Sequence, residues 1–404
     1  MKRVLLVISL CLAVTTAFAQ KRAVSEAERI SKDPKPDFNE ARTLIKGALG
    51  NSETQNDAKT WYVAAKVEDM QFSLESTKLI LGQQPNEPVM YEALSNSFPY
   101  FMKAYELDQL PNEKGKVKPK YTKNIKSTLA ANHVYYLNGG AYYFEKQEYK
   151  KACDYFDQYL EIANLPFFAG ERVAERDSNY MISQFYACVS ATQVNDGHFA
   201  VKYLERAKDA PYRQCDVYQY LCYEYEQIKD TTNLVKTLKE GLTIFPDSSY
   251  FLLNLISIYV AENENEKAIE LLNTAITRDA ANGLLYQTLG SVYERGKDYG
   301  QAEINFKKQV ELEPENPLAL SNIGRIYYNQ GVNKISEANL ISDTKLYNEE
   351  KAVAKEFFQK ALPYFEKARQ KEPDEMEYMI ALRGIYYNLD MGKEFDEIDA
   401  EMSK

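Results

Sequence analysis

The 404-residue chain has only two histidines, His133 and His198, a single tryptophan, Trp61, and five cysteines. Neither histidine has Cys, His or carboxylate partners at a metal-ligand spacing, which argues against a zinc site. Both read as surface or groove polar residues. The chain contains no G-x-S-x-G, no P-loop and no G-x-G-x-x-G, so the signatures of a serine hydrolase, a phosphate cradle and a dinucleotide site are all missing. No acid–base constellation clusters and no cofactor is implied, so the reading is non-enzymatic. Glu262, Glu264 and Glu266 alternate with Asn263 and Asn265, but without EF-hand spacing. They read as a turn between helices. The absence of an Asn-x-Ser/Thr sequon favours a bacterial envelope over a eukaryotic secretory route.

The first residues form the one apolar run. Lys2 and Arg3 make a positive start, Val4 to Thr16 an apolar stretch, and Ala17-Phe18-Ala19 a small-x-small cleavage site. The expectation is a signal peptide over 1–19, a mature chain from Gln20, and export to the periplasm or beyond. Cys11 lies inside the run behind Leu10, where a lipobox needs a small residue. No second run of ~18 apolar residues follows, so no integral membrane segment is expected in the mature chain. Without Lys2 and Arg3 the net charge moves from −10 to −12, a balance that disfavours nucleic acid as a partner. Lys114, Lys116, Lys118, Lys120, Lys123 and Lys126 form a local basic patch, read as a solvated loop in preference to a lipid or acidic-partner contact. Of the other cysteines, Cys215 and Cys222 fall two turns apart on one expected helix, roughly 10 Å along its axis, too far to bridge. Free thiols are expected, with a Cys153–Cys188 bridge as the alternative.

What the chain has in abundance is helical periodicity. From Gly283 to Asn316, thirty-four residues, Tyr286, Leu289, Gly290 and Tyr293 form one stripe at spacings of three and four. Ala302, Phe306, Gln309 and Leu312 form a second. Gly296 is expected to end the first helix, Asp298 to cap the second and Pro314 to stop it. This stretch resembles the tetratricopeptide repeat, which places an aromatic, Leu, Gly and Tyr on helix A, then Ala, an aromatic and Pro around helix B. The resemblance implies an all-α, right-handed solenoid of stacked antiparallel helix pairs. It also explains Cys188 and Cys222, which occupy the Gly290 position where the family uses a small residue.

The resemblance extends along most of the chain after residue 19. Divergent helical repeats fill 20–132, with helices expected over Ala23–Ile30, Phe38–Leu49 and Asp57–Leu81. Repeat-like units follow over 133–214, then regular repeats over 215–375. Two segments share a pattern: Phe98-Pro99-Tyr100-Phe101-Met102-Lys103-Ala104 and Leu362-Pro363-Tyr364-Phe365-Glu366-Lys367-Ala368. They mark two units of one lengthened type. Ala361 stands where an uninterrupted repeat would place residue 336, an insertion of 25 residues. Its pattern suggests two lengthened helices joined at Ser342-Asp343-Thr344, with a kink or break just before Pro363. Capping helices are expected over 376–404.

Tyrosine is plentiful, 32 against 18 phenylalanines, and Tyr143, Tyr225, Tyr259, Tyr293 and Tyr327 share one repeat position, read as core. The resemblance places Tyr223, Glu226, Tyr250, Gln287, Ser291, Glu294, Ser321, Arg325 and Tyr328 on the concave face of helix A. That mixture suits a peptide or protein segment. The Lys and Asn of the carboxylate-clamp subfamily are replaced here by Gln287, Ser291, Ser321 and Arg325, so that ligand is not implied. The expected function is a protein-binding scaffold in the bacterial cell envelope. The alternative is a glycan- or nutrient-binding part of an envelope uptake system, which the missing lipobox and single Trp61 disfavour.

Overall fold

A computed structural model describes residues 19–112 and 114–403. The leader features on Met1–Phe18, with Cys11, lie outside the described residues. Among the described residues there are helices and turns but no strand. Helix α1 spans 19–31, followed by α2 (Phe38–Leu49), α3 (Ala58–Ile80), α4 (Glu87–Asp108), α5 (Thr122–Glu145), α6 (Tyr149–Ala163), α7 (Ser178–Thr192), α8 (Gly197–Ala207) and α9 (Gln214–Gln227). Then come α10 (Thr231–Ile244), α11 (Ser249–Ala261), α12 (Asn265–Arg278), α13 (Gly283–Arg295), α14 (Tyr299–Leu312), α15 (Pro317–Ala338), α16 (Thr344–Lys371), α17 (Met376–Asn388) and α18 (Gly392–Met402). The fold is the all-α, tetratricopeptide-like solenoid that the periodicity implies. The chain divides into two compact units between Thr237 and Leu238.

In the first unit, Asp57, Asn86, Asp177 and Asp196 cap α3, α4, α7 and α8 with their side chains. Consecutive helices pack as neighbours, and one core runs from Ala65 to Tyr225. The lysine-rich residues 114–121 are non-helical, but they are tied down. Asp108 accepts from the amides of Lys120, Tyr121 and Thr122, each at 2.8 Å. His133 corrects the sequence reading of a surface or groove residue. It is buried and stacked face to face on Tyr159, ring centroids 3.9 Å apart, with Nε2 2.9 Å from the Tyr159 carbonyl oxygen. Burial lowers its pKa. His198 is exposed. Cys153, Cys188, Cys215 and Cys222 are all free. The Cys153 thiol donates to the Ala187 carbonyl at 3.5 Å, and burial pushes the Cys153, Cys188 and Cys222 thiols up to about 12.

The expected break at proline does not occur. Helix α16 runs unbroken through Pro363, and α4 through Pro99. In α4 the Ser95 carbonyl, which loses its amide partner to Pro99, accepts from Gln158 Nε2 at 3.4 Å.

In the second unit the Gly290 position works by close approach. A Cβ built on Gly290 would lie 2.7 Å from Phe306 Cε1, and one on Gly324 2.9 Å from the Phe365 ring. The insertion lengthens the α15–α16 hairpin on a seven-residue rule. Gly331, seven residues past Gly324, meets Phe358, seven before Phe365. Ala354, Phe358, Ala361, Phe365 and Ala368 are all buried at alternating spacings of four and three. Asp343 caps α16, as the expected turn requires.

One detail of the turns differs from expectation. Gly296 ends α13 with an ordinary right-handed φ of −73°, and the left-handed residue is the next one, Lys297, at φ 61°. Gln147, Asn195 and Lys229 adopt φ of 61°, 58° and 59° at the same register, seven residues after Gly140, Cys188 and Cys222.

Candidate functional site

The helix A positions four, eight and eleven residues after the start of each unit supply the candidate face. On α13 these are Gln287, Ser291 and Glu294, and on α15 Ser321, Arg325 and Tyr328. The structure brings the two rows together and spends much of their polarity internally. Arg325 donates to Glu294 through Nη2 at 2.9 Å and Nε at 3.2 Å, and Asn329 Nδ2 adds a bond to the same carboxylate at 3.1 Å. This two-pronged pair joins neighbouring A helices and cancels the charge of both.

Gln287 is likewise engaged. Its Oε1 accepts from the fully buried Gln309 at 3.2 Å, and Gln309 Oε1 accepts from Asn322 at 3.2 Å. Ser321 is 2% exposed and its hydroxyl donates to the Leu318 carbonyl, so it offers no surface to a partner. Ser291 is half-buried. Tyr250, on α11, is half-buried and packs edge-on against Phe251, ring centroids 5.3 Å apart. Tyr223 and Glu226 lie on α9 in the first unit, where both are exposed, Tyr223 by 54%.

The third row, on α17, was missed because its sequence reads as a terminal cap. The same register gives Ile380, Gly384 and Tyr387, and that count along the repeat is the signal that could have found them. Gly384 leaves a step in the helix that the Tyr328 ring fills: a Cβ there would lie 2.5 Å from the tyrosine hydroxyl oxygen. Tyr328 also packs edge-on against Phe358, centroids 5.6 Å apart. Ile380 and Tyr387 stand on either side of that step, 55% and 71% exposed. The outcome is an apolar strip, Ile380–Tyr328–Tyr387, built by two helices and anchored beneath, beside a self-neutralised ion pair. Such an arrangement can bind by apolar contact. Among the described residues no group of His, Cys, Asp and Glu is arranged to hold a metal ion, and no helix is long and apolar enough to cross a membrane.

Comparison with known proteins follows the same lines. The family profile described as tetratricopeptide repeat matches residues 284–316. A stretch of 125 residues is 30% identical to cellulose synthase operon protein C of Pseudomonas fluorescens (strain SBW25), covering 30% of this chain and 10% of that protein. The chain thus spans a small part of that relative's length. Among solved structures, a TPR repeats protein from Bacteroides fragilis NCTC 9343 is 19% identical, with 63% of this chain and 98% of that one covered and a TM-score of 0.34. MamA from Desulfovibrio magneticus RS-1 is 13% identical over 48% of this chain and 97% of its own, also with a TM-score of 0.34. The repeat register legible in the residues is folded into helix pairs and matched by the family profile over residues 284–316, so the chain carries a tetratricopeptide repeat there, a unit that generally serves as a scaffold for protein interactions.

Proposed function

We propose that the chain is a non-enzymatic scaffold exported to the bacterial cell envelope, which holds a protein or peptide segment against the A helices of its repeats. The observation that carries the binding reading is the Ile380–Tyr328–Tyr387 strip. Two large apolar side chains stand mostly in solvent on a rigid base, the setting in which tyrosine becomes an interface anchor. Within the first unit, taken by itself, Tyr223 on α9 is also a large exposed aromatic. Export is supported by the leader pattern of Lys2, Arg3, Val4–Thr16 and Ala17-Phe18-Ala19.

The test is paired. Ile380→Asp with Tyr387→Asp should abolish association with the envelope partner while helicity stays native. Lys345→Asp with Lys393→Asp, both on exposed positions, should leave association intact, and the reverse pattern contradicts the reading. Intact mass of the exported protein should begin at Gln20. The partial likeness to a cellulose synthase operon protein favours a glycan as the second reading, and a thermal-shift response to oligosaccharides that Tyr387→Asp removes would select it.

A further inference from the structure

The register that fills the interior of α13–α14 leaves a gap two helices earlier. Where α14 carries Phe306 and Gln309, α12 carries Leu272 and Ala275. Between α10, α11 and α12 lies a cavity of about 410 Å³, within the range of small-molecule sites. Its floor is aliphatic: Leu242, Leu252, Leu255 and Leu271. Two threonines on the wall add little polarity, because Thr243 and Thr274 donate to the carbonyls of Lys239 and Glu270 in their own helices, at 2.8 and 2.9 Å.

Two cations complete the lining, Lys239 on α10 and Arg278 in the last turn of α12. Among the described residues neither is held in an ion pair, and no carboxylate lines the cavity. Lys239 instead sits over the Tyr259 ring, 5.7 Å from its centroid. An aliphatic floor with unpaired positive charge at its edge, on a chain of net charge −10, is complementary to one ligand chemistry: an aliphatic chain ending in an anion. We infer that this cavity binds a fatty carboxylate, its chain on the leucine floor and its head group between Lys239 and Arg278. The site stands apart from the Ile380–Tyr387 strip and does not depend on the scaffold reading.

The experiment is calorimetric titration of the purified chain with dodecanoate below its micelle concentration. Acetate tests the head group alone, and dodecyltrimethylammonium tests the same chain with the opposite charge. Dodecanoate should bind, and the other two should not. Lys239→Glu with Arg278→Glu, exposed positions whose replacement should leave the circular dichroism unchanged, should weaken dodecanoate by at least about tenfold. Ala275→Trp, which fills the cavity and keeps both cations, should also abolish binding. Equal binding of dodecyltrimethylammonium, or full affinity in the charge-reversed variant, overturns the proposal. So does a site that takes a peptide with an apolar C-terminal residue and ignores dodecanoate.

Discussion

Gly324 on α15 lies against the Phe365 ring on α16 although 41 residues separate them, in the same contact that Gly290 makes with Phe306 across 16. The difference is 25 residues, the length of the insertion. The repeat's central packing contact is therefore kept while the hairpin beyond it grows in seven-residue steps, adding the Gly331–Phe358 pair.

Gly290→Leu and Gly324→Leu should each lower stability by roughly 1–3 kcal/mol, because both force a side chain into a buried ring. Urea denaturation provides the measurement. Gly300→Ala is the contrast: its Cβ would meet only Asp298 Oδ1 at 3.6 Å, in an exposed stretch of α14, so it should gain up to about 1 kcal/mol. Equal effects at all three positions would break the register.

Lys297 holds a left-handed backbone at φ 61°, a conformation that costs an ordinary residue roughly 1 kcal/mol. Lys297→Gly should relieve it and raise the melting temperature slightly, whereas Gly296→Ala should not destabilise through strain, since its φ is −73°.

Thiol counting tests the cysteine assignment. The chain from Gln20, unfolded without reductant, should react with four equivalents of a thiol reagent. In the native state Cys215, only partly buried, should react first, because the other three thiols are buried and held far from ionisation. A denatured count of two would establish a bridge.

His133 sets a pH dependence. Its folded pKa is lowered from 6.5 by burial, so below that value the unfolded chain binds the proton more readily. The neutral ring's contribution is therefore complete above about pH 6.5 and is lost as pH falls through the folded value. Urea midpoints of the wild type should drop between pH 7.5 and 5 by more than those of His133→Phe, and parallel curves would contradict this.

Periodicity carried most of the architecture. It set Phe38–Leu49 to the residue, the α15–α16 turn at Asp343 and the packing role of Gly290. What it could not carry were bonds between residues distant in the chain. Nothing local marks Gln158 as the donor that rescues Ser95 under Pro99, or Arg325 as the partner of Glu294 31 residues away. Nor does composition reveal that Ser321 turns inward while Ile380 and Tyr387 stand out. That depends on how α15 packs on α17, with the Tyr328 ring over Gly384.

The central claim is that the A-helix strip of the second unit is a recognition surface. A photo-crosslinking amino acid placed at Tyr387, and separately at Lys345 on α16, tests it most directly in cells. The account predicts a discrete protein adduct from position 387, lost when Ile380→Asp is added, and none from position 345. Adducts from 345 with none from 387 would contradict it.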